Sequence, residues 1–328
     1  MNHRRSSNSF KLTLAKALTL LILIGLLVSC KKDNTNANNG PLAGGYSILV
    51  NNGNILVSGF KSEGNLLSTK YWINGESAEQ SKFTELVGNH MAYRQGVDEK
   101  YRTGYSYKDR SGEIQNYRFD QSPVIEKGFM FYYKNNTMQR LANDSIGLLS
   151  AVTFNDDNPT FAGSLGEMTT SIAGNLSYYP KTAFIWDGHS SMLKLKLPVE
   201  SSLFWGVSTI YSNSPNEFYV GGLCGVPMYW KNSDPVVLDK RFGEVWQITK
   251  SGSDIYAVGL INKYNSNSAG HTACYWKNGV IQELGDDAQA YGIFVEGNNI
   301  YVTGAVGKFP SNYRPCYWKN GQRVDLPM

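Results

Sequence analysis

From about residue 45 to the end, the chain is a succession of short runs bounded by Gly, Asn, Asp and Ser. Some runs alternate apolar and polar residues with a period of two, as in Leu193-Lys194-Leu195-Lys196-Leu197 and Val324-Asp325-Leu326. Others, such as Tyr291-Gly292-Ile293-Phe294-Val295 and Val245-Trp246-Gln247-Ile248, are nearly continuous. The first kind predicts strands with one wet face, the second strands covered on both sides. No stretch of this body sustains a 3.6-residue apolar period, so the pattern predicts an all-β fold.

The runs recur in a fixed order. Tyr275-Trp276-Lys277-Asn278-Gly279 returns as Tyr317-Trp318-Lys319-Asn320-Gly321, with looser copies at Tyr71-Trp72-Ile73-Asn74-Gly75 and Tyr229-Trp230-Lys231-Asn232-Ser233. More degraded copies stand at Ile185-Trp186-Asp187-Gly188 and Tyr132-Tyr133-Lys134-Asn135-Asn136. Upstream of each lies a β-rich run that ends in glycine, at Gly59, Gly104, Gly163, Gly222, Gly259 and Gly304. Successive glycines are 45, 59, 59, 37 and 45 residues apart, the spacing of a repeat architecture.

Each unit parses as four strands, A to D: an apolar run, a tight turn, the glycine-ended strand, the tryptophan strand and a final alternating strand. The Asn-Gly after the tryptophan predicts a type I′ hairpin, whose two central residues need positive φ. Six such units predict a six-bladed β-propeller of four-stranded antiparallel blades over residues 45–328. A seven-bladed count, with residues 105–128 as an extra partial blade, is the alternative. The repeated tryptophan is expected to pack blade against blade. No strand is exchanged between the termini, so ring closure is expected to rest on packing of the first blade on the last. The units resemble the HAF-type repeats of exported bacterial proteins, through Ala183-Phe184-Ile185-Trp186 and His271-Thr272-Ala273-Cys274-Tyr275-Trp276-Lys277-Asn278-Gly279. That resemblance implies no activity.

The first 29 residues read differently. Arg4, Arg5, Lys11 and Lys16 precede an apolar run, Leu18 to Val28, too short for a membrane span. The run ends in Leu27-Val28-Ser29-Cys30, which is similar to the lipobox of bacterial lipoproteins; an ordinary secretory signal is the alternative. The resemblance implies a signal peptide over 1–29, cleavage before Cys30, and acylation of that cysteine. Several acyl chains hold a protein at a membrane where one does not. Lys31 after the cysteine implies the outer membrane of a Gram-negative cell envelope. Residues 30–44 then form the lipidated cysteine and a polar, flexible tether.

Cleavage also changes the charge. The full chain has 31 Lys+Arg and 27 Asp+Glu; the leader removes four of the basic residues and no acidic one. The mature chain is therefore balanced, with no basic stripe for nucleic acid. Cys274 and Cys316 fill one slot of consecutive repeats where other copies carry Lys70, Phe184 and Met228, so they read as packing residues. No closely spaced ligand pair suggests a metal, and no motif suggests a cofactor.

Catalytic signals are sparse. Asp156-Asp157 and Asp286-Asp287 sit in turn-like stretches, and no catalytic residue is assigned. The variable part of the repeat is the distance from the strand B glycine to the tryptophan slot: 13, 29, 23, 8, 17 and 14 residues. Insertions collect in loops that carry binding while a scaffold stays constant, which points to the face carrying the B–C connections. Candidate binding residues there are Tyr105, Tyr107, Tyr117, Tyr178, Tyr179, Tyr264, His271, Phe309, Tyr313 and Arg314. Tyrosine offers an apolar face and a polar tip, suited to a glycan, a peptide or an envelope protein. The sequence thus predicts an anchored binding or scaffold protein. The alternative is a hydrolase or lyase with a channel-mouth site built from carboxylates and His271 or His189.

Overall fold

A computed structural model describes residues 42–63, 66–89, 91–97, 103–119, 130–141, 146–170, 176–189, 192–197, 204–214, 216–263, 270–308 and 312–328. The leader, Cys30 and residues 31–41 lie outside the described residues; residues 42–44, expected to belong to the tether, instead open the first strand.

Blade one is β1 (Leu42–Asn51), β2 (Asn54–Glu63), β3 (Leu66–Ile73) and β4 (Glu76–Ala78). A short helix, α1 (Gln80–Leu86), leads to blade two: β5 (Ala92–Val97), β6 (Thr103–Lys108), β7 (Ile114–Phe119), β8 (Phe131–Lys134) and β9 (Thr137–Arg140). Blade three is β10 (Gly147–Asn155), β11 (Asn158–Thr170), β12 (Leu176–Trp186) and β13 (Leu193–Lys194). Blade four is β14 (Gly206–Ser214), β15 (Glu217–Leu223), β16 (Pro227–Lys231) and β17 (Asp234–Val237). Blade five is β18 (Gly243–Ser251), β19 (Asp254–Asn262), β20 (His271–Lys277) and β21 (Val280–Asp286). Blade six is β22 (Ala288–Glu296), β23 (Asn299–Val306), β24 (Arg314–Lys319) and β25 (Gln322–Asp325). Every sheet is antiparallel and keeps sequence order, giving a six-bladed β-propeller.

The repeated motif explains how the blades cohere. Strand C alternates its faces, and both faces are covered. Trp230 packs with Ala151, Ala162 and Ile185 of the preceding blade, and Trp276 with Tyr219 and Tyr229. Trp318 and Trp72 do the same against blades five and six. The tyrosine before each tryptophan faces the other way: Tyr229 and Tyr317 enter the core shared with the next blade. A buried tryptophan removes ~200 Å² from water, worth about 5 kcal/mol. The lysine that follows stands opposite a strand B tyrosine, and its ammonium lies over the ring in Lys277–Tyr256 (5.6 Å) and Lys319–Tyr301 (5.5 Å).

The asparagine of the motif has two jobs. Asn74, Asn278 and Asn320 have φ of 53°, 50° and 51°, and the glycines after them are also positive, as a type I′ turn requires. Their side-chain oxygens also accept from the strand B amides of Ile55, Ile255 and Ile300, at 2.8, 2.9 and 2.9 Å. Each C–D turn is thereby fastened to strand B.

The strand B glycine is set by its neighbour. β1, β10, β14, β18 and β22 each carry a bulge, leaving Tyr46, Ser150, Ser208, Trp246 and Tyr291 without a partner in the ladder. The bulge drives a carbonyl of strand A toward strand B. A Cβ on Gly59, Gly163, Gly259 or Gly304 would overlap the carbonyl oxygen of Gly44, Leu148, Glu244 or Gln289.

Ring closure follows the rule of the other interfaces. Trp72 of blade one packs with Tyr301, Tyr317 and Leu326 of blade six, and its indole donates to the Pro327 carbonyl at 2.9 Å. Trp230 makes the same bond to Lys196 of blade three at 2.6 Å. The Ala43 amide donates to the Tyr313 carbonyl at 3.0 Å, and among the described residues no strand is exchanged.

Blade two corrects the sequence reading. The described part of 105–128, residues 105–119, does not begin a seventh blade: β7 joins blade two as one of its five strands. Asn51, at the end of β1, donates to the Leu86 carbonyl at 3.1 Å, which places the end of α1 on the A–B face. The β6–β7 turn lies on this face too, because Lys108 reaches the Val87 carbonyl (3.1 Å) while Tyr107 and Arg110 bond Asp157 and Asp156 in the β10–β11 turn. Hence β5 runs opposite to the other first strands. β6 to β9 repeat the usual A-to-D directions, and β5 is an added strand packed on β1 and β2.

Candidate functional site

The bulged residues of three successive inner strands meet. The Tyr46 and Tyr291 rings are edge-on at 5.2 Å, and Tyr291 meets Trp246 edge-on at 5.7 Å. Phe60 stacks behind Tyr46 at 4.8 Å. From blade two, Arg94 on the added strand β5 lays its guanidinium over Tyr46, 4.6 Å from the ring centre. The Arg94 carbonyl accepts from Ser58 at 2.6 Å, so the strand that carries it is fixed to blade one.

The ionisable groups here are unusual. Glu244, near the start of β18, is 3% exposed, and burial pushes its carboxyl up to about 7. Nothing in the described structure hydrogen-bonds or pairs with that carboxylate. Among the described residues Arg94 has no acid partner and its buried Nε finds no acceptor; the buried Trp246 indole nitrogen likewise finds none there. Burial raises Tyr291 well above the usual phenol range, with the charges of Tyr313, Tyr46 and Glu244 adding to the shift and Arg94 opposing it. One hydroxyl thus feels groups from blades one, two, five and six. Burial raises Tyr46 and Tyr105 as well, again opposed by Arg94.

From Tyr291 a polar chain leads outward. Its hydroxyl donates to Gln289 Oε1, and Gln289 Nε2 lies 2.6 Å from His271 Nδ1 at the start of strand C in blade five. Burial lowers the His271 pKa, partly offset by Asp287. Beside it, Thr272 donates to Asp286 at 2.7 Å, and Lys263 pairs with the same carboxylate. The chain therefore runs from the inner strands to the B–C rim between blades five and six.

The residues proposed from sequence divide into groups. His271 and Tyr313 belong to this region, although Tyr313 is a buried residue, 2% exposed, whose carbonyl holds β1. Arg314 is exposed at the start of β24. Tyr178 and Tyr179 lie on the extended β11–β12 ribbon of blade three; Tyr178 donates to the Ser164 carbonyl at 2.8 Å, and burial raises its pKa to about 12. Tyr105, Tyr107 and Tyr117 are on strands β6 and β7, not in a B–C loop. Tyr107 stacks on Phe154 at 3.9 Å, and Tyr117 lies 2% exposed in the core between blades two and three. Their hairpin points to the A–B face because β5 shifts the strand directions by one. Tyr264 and Phe309 lie outside the described residues.

Arg94, Glu244, Trp246, Tyr46, Tyr291 and Gln289 escaped the sequence reading. A charged residue in the otherwise apolar start of a strand A, as at Glu244, was the available signal. Among the described residues, no three His, Cys, Asp or Glu side chains gather as a metal site would require.

No known protein family matches the sequence, and no curated protein matches it. Among solved structures, the β-propeller domain of the Trilobed protease from Pyrococcus furiosus, described as having an open velcro topology, aligns with 88% of this chain and 98% of that one, at 10% identity and a TM-score of 0.39. At that distance the likeness says nothing about chemistry.

Proposed function

We propose that this is a lipid-anchored protein of the cell envelope, held by Cys30 at the outer membrane of a Gram-negative bacterium, that binds or scaffolds a glycan, peptide or protein partner on its B–C face. One observation carries the binding reading: the Arg94 Nε and the Trp246 indole nitrogen are buried without an acceptor among the described residues, around the Tyr46–Tyr291–Trp246 cluster from which the polar chain leads to the B–C rim. Buried polar groups in a folded protein are satisfied as a rule, so groups left open together await something the chain does not supply. The anchor reading rests on Leu27-Val28-Ser29-Cys30 and the basic, then apolar, leader.

The test uses the full chain purified in detergent. A ligand selective for the folded state raises the melting point by mass action. Glycan and peptide panels are screened in this way, with Arg314→Ala and Tyr179→Ala as rim variants. Weaker stabilisation by the rim variants at unchanged fold supports the face; identical affinity in both removes it. For the anchor, Cys30→Ser should leave the membrane fraction, and its retention there would sink that part. The alternative, a hydrolase or lyase built from carboxylates with His271 or His189, would draw on Glu244, whose carboxyl near 7 suits proton transfer. It requires turnover that Glu244→Gln abolishes.

A further inference from the structure

The strand that breaks the repeat brings one cation to the inner strands. β5 is the first strand of the five in blade two, and Arg94 on it meets Tyr46, the bulged residue of β1, with its guanidinium carbon 4.6 Å from the ring centre. Tyr105 stands directly opposite Arg94 in the β5–β6 ladder, so a second ring shares its side of the sheet. Ser58 fixes the strand through the Arg94 carbonyl at 2.6 Å. Aromatic surface and backbone hold this side chain, not an anion.

Other arginines of the chain find acceptors. Arg110, Arg118, Arg241 and Arg323 reach side-chain oxygens of Asp156, Asn136, Asp239 and Asp325. Arg94 reaches none among the described residues, and its Nε is buried as well. A guanidinium keeps its charge at any ordinary pH, so the open donors are not silenced by losing a proton. The residue as a whole is only half-buried, which leaves it within reach of a solute.

The Tyr46 hydroxyl is open in the same way. Phe60 and Tyr291 hold its ring at 4.8 and 5.2 Å, while the hydroxyl makes no hydrogen bond among the described residues. Burial raises its pKa, and the Arg94 charge opposes that shift. Hydroxyl and guanidinium belong to one stacked pair, so the rigid frame of a single ring sets their spacing. The two oxygens of one carboxylate, with hydrogen bonds of about 2.8 Å at either end, bridge a ring's face and its hydroxyl. Among the described residues no second cation lies over Tyr46, so charge balance calls for one negative charge.

Resting on the binding reading above and deepening it, we infer that Arg94 and Tyr46 hold the carboxylate of a monoanionic organic acid, one oxygen on the guanidinium and the other on the Tyr46 hydroxyl. The surrounding rings favour an acid with an apolar or aromatic body. A phosphate dianion brings a second charge that no cation here balances. A neutral sugar leaves the guanidinium without a counter-ion.

The experiment uses the full chain in detergent, with acetate, butyrate and benzoate at millimolar concentration against sodium chloride of equal ionic strength. Benzamide and inorganic phosphate are the controls. The expected result is a melting point raised by benzoate and not by benzamide or phosphate. Arg94→Gln should weaken benzoate about tenfold or more, and Tyr46→Phe, which keeps the ring under the guanidinium, several-fold. Benzamide or phosphate binding as well as benzoate overturns the inference, as does parental affinity in Arg94→Gln. If Arg94→Gln does not fold, Tyr46→Phe decides, and unchanged benzoate affinity there overturns it. If no carboxylate binds while Arg314→Ala or Tyr179→Ala still weakens a glycan or peptide, the carboxylate site falls and the B–C face stands. If benzoate binds through Arg94 while the rim variants change nothing, the site stands and the rim falls. If neither experiment shows binding, both fall.

Discussion

Replacing Glu244 by glutamine should make the protein more stable above neutral pH. The carboxyl sits near 4.5 in an unfolded chain and is raised to about 7 by burial in the folded one. Between these values the folded state holds a proton that the unfolded state has released. Stability therefore falls as pH rises through that window, by about 1.4 kcal/mol per pH unit, until both states are ionised. The difference of roughly 2.5 units corresponds to about 3 kcal/mol of destabilisation fully present at pH 8. Glutamine keeps the shape and removes the charge. In a domain of this size 1 kcal/mol moves the melting point by about 2 °C, so Glu244→Gln should melt about 6 °C higher at pH 8 and nearly level with the parent at pH 5.

The assay is a series of melting curves of the full chain in detergent across that pH range, parent and variant side by side. His271 contributes with the opposite sign. Its pKa is lowered by burial, so protonation on acidification favours the unfolded chain. That contribution is common to both proteins and cancels in the difference. Parallel curves, or a variant that melts lower at pH 8, would refute the claim that Glu244 is an uncompensated buried carboxyl.

Three further outcomes follow from the packing. Trp72→Phe and Trp230→Phe each lose an indole bond to a carbonyl of the preceding blade, whereas the Trp276 indole nitrogen has no acceptor. Urea denaturation should therefore find the first two costlier than Trp276→Phe by about 1 kcal/mol each. Cys224, Cys274 and Cys316 are buried and free, with their thiols raised by burial, Cys224 to about 12. They should resist a thiol reagent in the folded protein and react on unfolding. The unfolded chain then titrates three thiols if Cys30 is acylated and four if it is not. Gly259→Ala sets a methyl against the Glu244 carbonyl and should lower stability by more than about 3 kcal/mol in the same melting assay. Gly279→Ala, in an open turn at φ 82°, should lose about 1 kcal/mol.

The architecture was legible because each repeat states the same physical demand. A tryptophan at one place in every sheet has only the neighbouring blade to bury it. Asn-Gly at one place marks where the chain needs two positive φ values. The glycine at the end of strand B was visible as a landmark, but its cause was not, since that cause is a carbonyl pushed across by a bulge in strand A. A bulge changes register without leaving a fixed residue type: Tyr46, Ser150, Ser208, Trp246 and Tyr291 share a position and almost no chemistry. The aromatic half of the candidate site was thus hidden in runs that read as ordinary apolar strands. The packing role expected of Cys274 and Cys316 was legible from their interchange with Phe184 and Met228, and both are buried and free.

Blade two shows how local pattern and topology part. Tyr105, Tyr107, Tyr117 and Phe119 alternate with polar residues on either side of Asp109-Arg110-Ser111-Gly112, which is a hairpin pattern. Gly104 hides it, because a glycine after a β-rich run looks like the end of a strand B. The extra strand β5 reverses the assignment and sends the hairpin to the opposite face. It also brings Arg94 to Tyr46, where the four-stranded blades place no cation. The departure from the repeat and the unpaired guanidinium are therefore one event. An insertion that served only stability had surface carboxylates enough to pair with, as Lys196 does with Asp234 and Lys181 with Glu167. Instead it brings an arginine to the inner aromatic cluster, where its buried Nε finds no acceptor among the described residues. Sites where a fold departs from its own local rules without a structural gain are where function is expected, and here that departure falls on the inner strands rather than on the variable loops.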